Sequence, residues 1–127
     1  MKFKQFIITD KVFLTEVLFF VNCKLEELGE KGKKWGLKKR DFKDFDKDVI
    51  GMAIEPKKRF FRIIWLRRFS GRIRDIGLLS HEIFHLVIDI LENKEVGIKA
   101  IRKKGNQGDE TGAYLMGFYL KEALKFL

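Results

Sequence analysis

Between residues 76 and 91 the chain reads IGLLSHEIFHLVIDIL, apolar almost all round, and a helix of that composition has to be buried. Its clearly polar residues are Ser80, His81, Glu82, His85 and Asp89, of which His81, His85 and Asp89 form one stripe at i, i+4 and i+8. Successive members of such a stripe stand one turn apart on the same face. Burying imidazoles and carboxylates without partners costs several kcal/mol, so the stretch needs a hydrogen-bonded network or a ligand. A metal ion meets that need, because two imidazoles four residues apart on a helix can both reach one Zn²⁺ at ~2.0–2.1 Å.

The sequence holds two His, and both stand in this H-E-x-x-H pattern. Two His scattered at random would fall four apart in on the order of one or two per cent of chains, before a Glu is required, so accident explains the pattern poorly. The competing account is a pair of core imidazoles satisfied by hydrogen bonds, with Glu82 at a helix edge. With a metal, Glu82 is placed to act on water as general base. The single Cys, Cys23, excludes an intrachain disulfide and a Cys-rich zinc site. In its apolar setting it is expected to be a buried, inert thiol.

A chain of 127 residues is large enough for one core and is read as one domain over 1–127. Hydrophobic content of 46% with thirteen Phe describes a folded globule rather than a disordered tail. The opening MKFKQFIITD alternates like a strand and lacks the apolar core of a signal peptide. No run approaches the ~20 apolar residues of a membrane span. A cytoplasmic, reducing location and no membrane partner are therefore expected. The net charge of +9 fits nucleic acid, an anionic surface or an acidic substrate. The basic residues are spread over clusters at 31–43, 57–59, 67–74 and 102–104, which makes a solvated basic surface the first reading and a nucleic-acid partner the second.

In chain order, residues 2–8 read as a short strand. Thr9 and Asp10 are N-cap candidates for a helix over 11–30, whose Phe13, Leu14, Val17, Leu18, Val21, Leu25 and Leu28 recur at helical spacing. Gly29, Gly32 and Gly36 punctuate a basic loop anchored by Trp35. Two strands, 48–54 and 59–69, flank a turn at 55–58 containing Pro56 and form a hairpin. In the second, Arg62, Ile64, Leu66 and Arg68 face one way and Phe61, Ile63, Trp65 and Arg67 the other, and its Arg content suits an exposed edge. The motif helix starts near 72–75 and runs to about 93. A glycine-rich loop at 99–108 leads to a last helix over 109–126. The fold class is α+β.

Two His do not close a catalytic zinc site, which uses three protein ligands and a water. With no further His and no Cys near the motif, the third ligand should be a carboxylate on a neighbouring element. Glu110, at the start of the last helix, is the choice, with Asp109 beside it as the alternative. Gly112, Ala113 and Gly117 are small residues that let two helices approach closely.

His81-Glu82-x-x-His85, followed by Glu110 inside D-E-x-x-A-Y-x-x-G, resembles the gluzincin branch of the zincin metallopeptidases. In detail it is similar to small zincin-like proteins, many of them encoded by phages or prophages. The resemblance covers about residues 59–120. It implies zinc bound by His81, His85 and Glu110, water activated by Glu82, and hydrolysis of a peptide or protein substrate. It also implies a small twisted sheet over the motif helix, with the strand at 59–69 lining the cleft and binding extended peptide by strand addition. No His outside the motif is available to stabilise a tetrahedral intermediate. Tyr114, one turn after Glu110, is the candidate for that role or for a hydrogen bond behind a ligand, and is otherwise a packed aromatic. Asp89 could accept the second N–H of a ligand imidazole, or cap a surface network. Two rival functions remain: a zinc-stapled basic domain that binds nucleic acid or protein without catalysis, and a latent peptidase blocked by its own 121–127 segment or by self-association.

Overall fold

The computed structural model describes residues 1–38, 41–42, 49–54, 61–93 and 106–127, with the backbone alone at 106–109. The turn expected at 55–58, the basic clusters at 57–59 and 102–104 and the side chain of Asp109 lie outside these residues. Strand β1 (Lys4–Thr9) alternates buried Phe6 and Ile8 with exposed Ile7 and Thr9, as a strand with one covered face should.

The helix expected over 11–30 does not form in its first half. Asp10 caps a turn as its chemistry predicts: Oδ2 accepts the N–H groups of Val12 at 3.0 Å and Phe13 at 2.6 Å, and Oδ1 that of Thr15 at 2.9 Å. The turn stops at once because Leu14 takes φ 58°, where a right-handed helix cannot continue. The chain leaves as β2 (Glu16–Val21), and only Leu25–Lys31 is helical (α1), followed by a 3₁₀ turn at Lys33–Trp35. Every residue from Val17 to Val21 is buried, since both faces of β2 are covered. A strand buried on both faces shows no alternation, which is why its apolar run was compatible with a helix.

Strands β3 (Gly51–Ile54) and β4 (Arg62–Leu66) pair antiparallel, as the hairpin expectation required. The expected edge position of the Arg-rich strand is overturned, because β4 also pairs parallel with β2, Val17 opposite Arg62 and Val21 opposite Leu66. Among the described residues the sheet order is β1-β2-β4-β3, with β1 antiparallel to β2. β4 is interior because its Ile63, Ile64, Trp65 and Leu66 are all fully buried, which an edge with a solvated face would not allow.

The sheet separates two apolar clusters. Val17, Phe19, Val21, Ile64 and Leu66 face helices α2 (Ile73–Asn93) and α3 (Asn106–Phe126), meeting Leu79, Ile83, Leu86, Leu115 and Tyr119. Leu18, Phe20, Ile63 and Trp65 face α1, meeting Leu25, Leu28, Leu37 and the buried Cys23. The motif helix and the last helix form where they are expected, the latter beginning three residues sooner, at Asn106, inside the stretch read as a loop. The architecture is α+β.

Three sets of contacts fasten α3 and the residue after it to the first hairpin. The Tyr119 hydroxyl donates to Asp10 Oδ1 at 2.8 Å, with the Thr15 carbonyl 3.0 Å away, and Phe126 stacks on Phe6 with ring centroids 4.4 Å apart. Lys4 Nζ donates to the carbonyls of Phe126 at 3.0 Å and Leu127 at 3.3 Å. The end of the chain thus packs on β1, the sheet edge opposite β3.

Burial alone would push the Asp10 carboxyl up, but the N–H of Phe13, the O–H of Tyr119 and the N–H groups of Thr15 and Val12 outweigh it and hold it below the ordinary value. A group with a depressed folded pKa stabilises fully above its unfolded pKa, about 3.9, and loses that contribution as pH falls through the lower folded value. Asp10→Ala strips three backbone donors and a phenol of their acceptor and is expected to cost about 3 kcal/mol in urea unfolding at pH 7, against about 1 kcal/mol for Tyr119→Phe. The Asp10→Ala deficit should shrink below pH 4. A deficit constant down to pH 2 would show that the carboxylate is not the source.

Candidate metal centre

Helix α2 is seated on the sheet by two local devices. Asp75 Oδ2 accepts the Ser70 hydroxyl at 2.7 Å, the Ser70 N–H at 2.9 Å and the Arg72 N–H at 3.3 Å, which satisfies donors at the helix start. The Ser70 hydroxyl and N–H hold the Asp75 carboxyl below its ordinary pKa. Gly51 on β3 then admits the helix closely. A Cβ there would meet Leu66 Cδ2 at 3.1 Å and both δ carbons of Leu78 at 3.2 Å, so the missing side chain brings α2 against the sheet edge.

With Leu79, Ile83, Leu86 and Ile90 of α2 turned into the core, His81 and His85 fall on the exposed side of the helix and Glu82 falls at its margin, 6% exposed. The two Nε2 atoms converge to 3.1 Å, with the rings edge to face at 4.6 Å and 82°. One ligand atom from each of His81, Glu82 and His85 lies within 4.8 Å of the others. Among the described residues Glu82 Oε2 is buried and has no hydrogen-bond partner. Burial raises the Glu82 pKa, against the opposing pull of His81 and His85.

These residues fit a metal ion. Two nitrogens 3.1 Å apart can each stand ~2.0–2.1 Å from a common point, with an angle of roughly 100° between them, close to tetrahedral. The same spacing also suits an imidazole N–H donating to an imidazole nitrogen. A hydrogen-bonded His pair leaves Glu82 Oε2 without a partner among the described residues. A buried carboxylate oxygen left unpaired costs about 1–3 kcal/mol or more.

The other predicted residues fall elsewhere. Glu110 is exposed on α3 and stands outside the group of three. At Gly112 a Cβ would lie 3.6 Å from Leu91 Cδ1, so this end of α3 meets α2 about 9 Å of helix rise beyond His85. Tyr114 is 43% exposed and stacks on Phe118 with centroids 5.9 Å apart. Asp89 does not serve an imidazole: its Oδ2 accepts Arg62 Nε, and its Oδ1 accepts Asn93 Nδ2 at 2.9 Å. The segment 121–127, expected as a plug in the latent form, lies instead against β1 through Phe126 and Leu127.

Arg62 is the residue that sequence reasoning missed. Its guanidinium, with a side chain 12% exposed, joins Asp89 beside His85. The signal was present: Arg62 shares its strand face with Ile64 and Leu66, and a charge on an inward face needs an opposite charge. Asp89, third in the polar stripe of a buried helix, was the available partner.

No family model, curated protein or solved structure matches the chain.

Proposed function

We propose that the chain is a zinc-dependent peptidase of the gluzincin kind, with His81 and His85 as metal ligands, Glu82 as general base, and Glu110, which stands outside the group of three, as the third ligand to be tested first. The observation that carries this reading is the convergence of His81, Glu82 and His85, with two imidazole nitrogens 3.1 Å apart and a buried Glu82 Oε2 that has no partner among the described residues. A structural zinc site needs no carboxylate beside its ligands, whereas hydrolysis does. A bound zinc ion supplies Lewis-acid polarisation of water and of the scissile carbonyl. Glu82 does the proton work, taking a proton from the attacking water and delivering it to the leaving amine.

The substrate path follows from the sheet order. β4 is bonded on both sides and cannot add a peptide strand, while β3, flanking it, has one partner among the described residues. Ala53 and Ile54 of β3 lie with His85 around a common cavity. An extended peptide paired with β3 would therefore run past the imidazoles.

Elemental analysis of the purified chain, paired with mass spectrometry of an unfolded protein substrate, tests the reading. One zinc per chain with internal cleavage is the expected result. Absence of zinc after zinc is supplied would end it.

A further inference from the structure

Beside His85 a cavity of about 210 Å³ is lined by Ala53, Ile54, Arg62, His85, Leu86 and Asp89. It is smaller than the roughly 300–1,000 Å³ of pockets that enclose whole small molecules, and of a size for one side chain. Ala53, Ile54 and Leu86 make its apolar walls. Among the described residues its charged groups are Arg62 and Asp89, which pair with each other. Asp89 is further committed to Asn93, and Arg62 Nη1 approaches the Phe61 carbonyl at 3.4 Å.

We propose that this cavity selects the substrate residue next to the scissile bond, and that the Arg62–Asp89 pair makes the selection one for an uncharged side chain. The proposal rests on the peptidase reading given above for its substrate class. An incoming carboxylate would face Asp89 and an incoming ammonium would face Arg62, and either would have to break the pair to gain a partner. Like charges brought together in a partly desolvated site discriminate strongly against the wrong ligand. An unbranched neutral chain meets apolar wall along its length and, if it ends in an amide or thioether, meets the ion pair without disturbing it. Methionine and glutamine have that shape. His85 at the margin ties the cavity to the metal cluster.

The test uses blocked peptides Ac-Ala-Ala-X-Ala-Ala-NH₂, with X as Met, Gln, Glu or Lys, added to isotope-labelled full chain with zinc. Backbone amide shifts of Ala53, Ile54 and Leu86 report occupancy, and mass spectrometry of the same samples reports cleavage. Met and Gln peptides should perturb these amides at concentrations about tenfold lower than Glu or Lys peptides. Asp89→Asn, which takes the negative charge out of the cavity and keeps Arg62, should turn the preference towards Glu, and Ala53→Leu, which fills the cavity from β3, should abolish it. Equal responses to all four peptides, or none at these amides, would overturn the cavity's role even if cleavage occurs. Selective binding without cleavage would sustain the cavity and defeat the peptidase reading.

Discussion

Glu82→Gln is expected to retain one zinc per chain and to lose peptide hydrolysis by about 10²–10⁴-fold, the range that general acid–base catalysis supplies. The two side chains have the same shape, so the core around Leu79, Ile83 and Leu86 is undisturbed. The amide cannot take the water's proton. Folding stability should be equal or slightly higher, because a buried group that is costly to charge becomes neutral. A Glu82→Gln chain as active as wild type would exclude Glu82 as the base. Loss of zinc together with activity would instead make Glu82 a ligand.

The second large effect is on the metal itself. His81→Ala and His85→Ala should each weaken zinc binding by far more than the roughly 10–100-fold lost on removing an outer partner of a metal ligand. Both His are exposed, so the zinc-free variants should unfold within about 0.5 kcal/mol of zinc-free wild type. Zinc at a hundred times its dissociation constant should raise wild-type stability by about 2.7 kcal/mol and leave the variants unmoved. Glu110→Ala tests the third ligand. Affinity well below wild type with an intact apo fold would support it, and unchanged affinity would move the search for a third ligand to another carboxylate. A wild type that zinc does not stabilise would mark the His pair as a hydrogen-bonded surface pair.

What the sequence revealed depended on how many faces of each element were covered. The motif helix was legible because its polar residues stood out from an otherwise apolar run, and the β3–β4 hairpin because two apolar, β-branched and aromatic runs flank Pro56. β2 was misread because its two neighbours and two covered faces erased the alternation, leaving Val-Leu-Phe-Phe-Val to fit either period. Its β-branched and aromatic content was the one local sign of a strand. The same pairing, β2 with β4, joins segments far apart in the chain, and local pattern carries no record of such a partner. That is also why the Arg content of the 59–69 strand points to an edge that β4 does not occupy. In the site, His81, Glu82 and His85 converge because one helix fixes all three. Glu110 and Asp89 depended on how other elements pack against that helix, which spacing along one chain does not specify.

The order of strands also grades how readily each part of the sheet opens. β2, bonded on both sides and covered on both faces, can exchange its amide hydrogens only when much of the molecule unfolds. β3 has four residues and, among the described residues, one bonded neighbour, so its detachment uncovers Met52 and Ile54 on the α1 side while the cluster under α2 and α3 keeps its main members. The wall nearest the imidazoles is therefore the part of the sheet that yields first. Protection from hydrogen–deuterium exchange should fall from β2 to β3, and a peptide that pairs with β3 would replace that fraying with fixed backbone bonds.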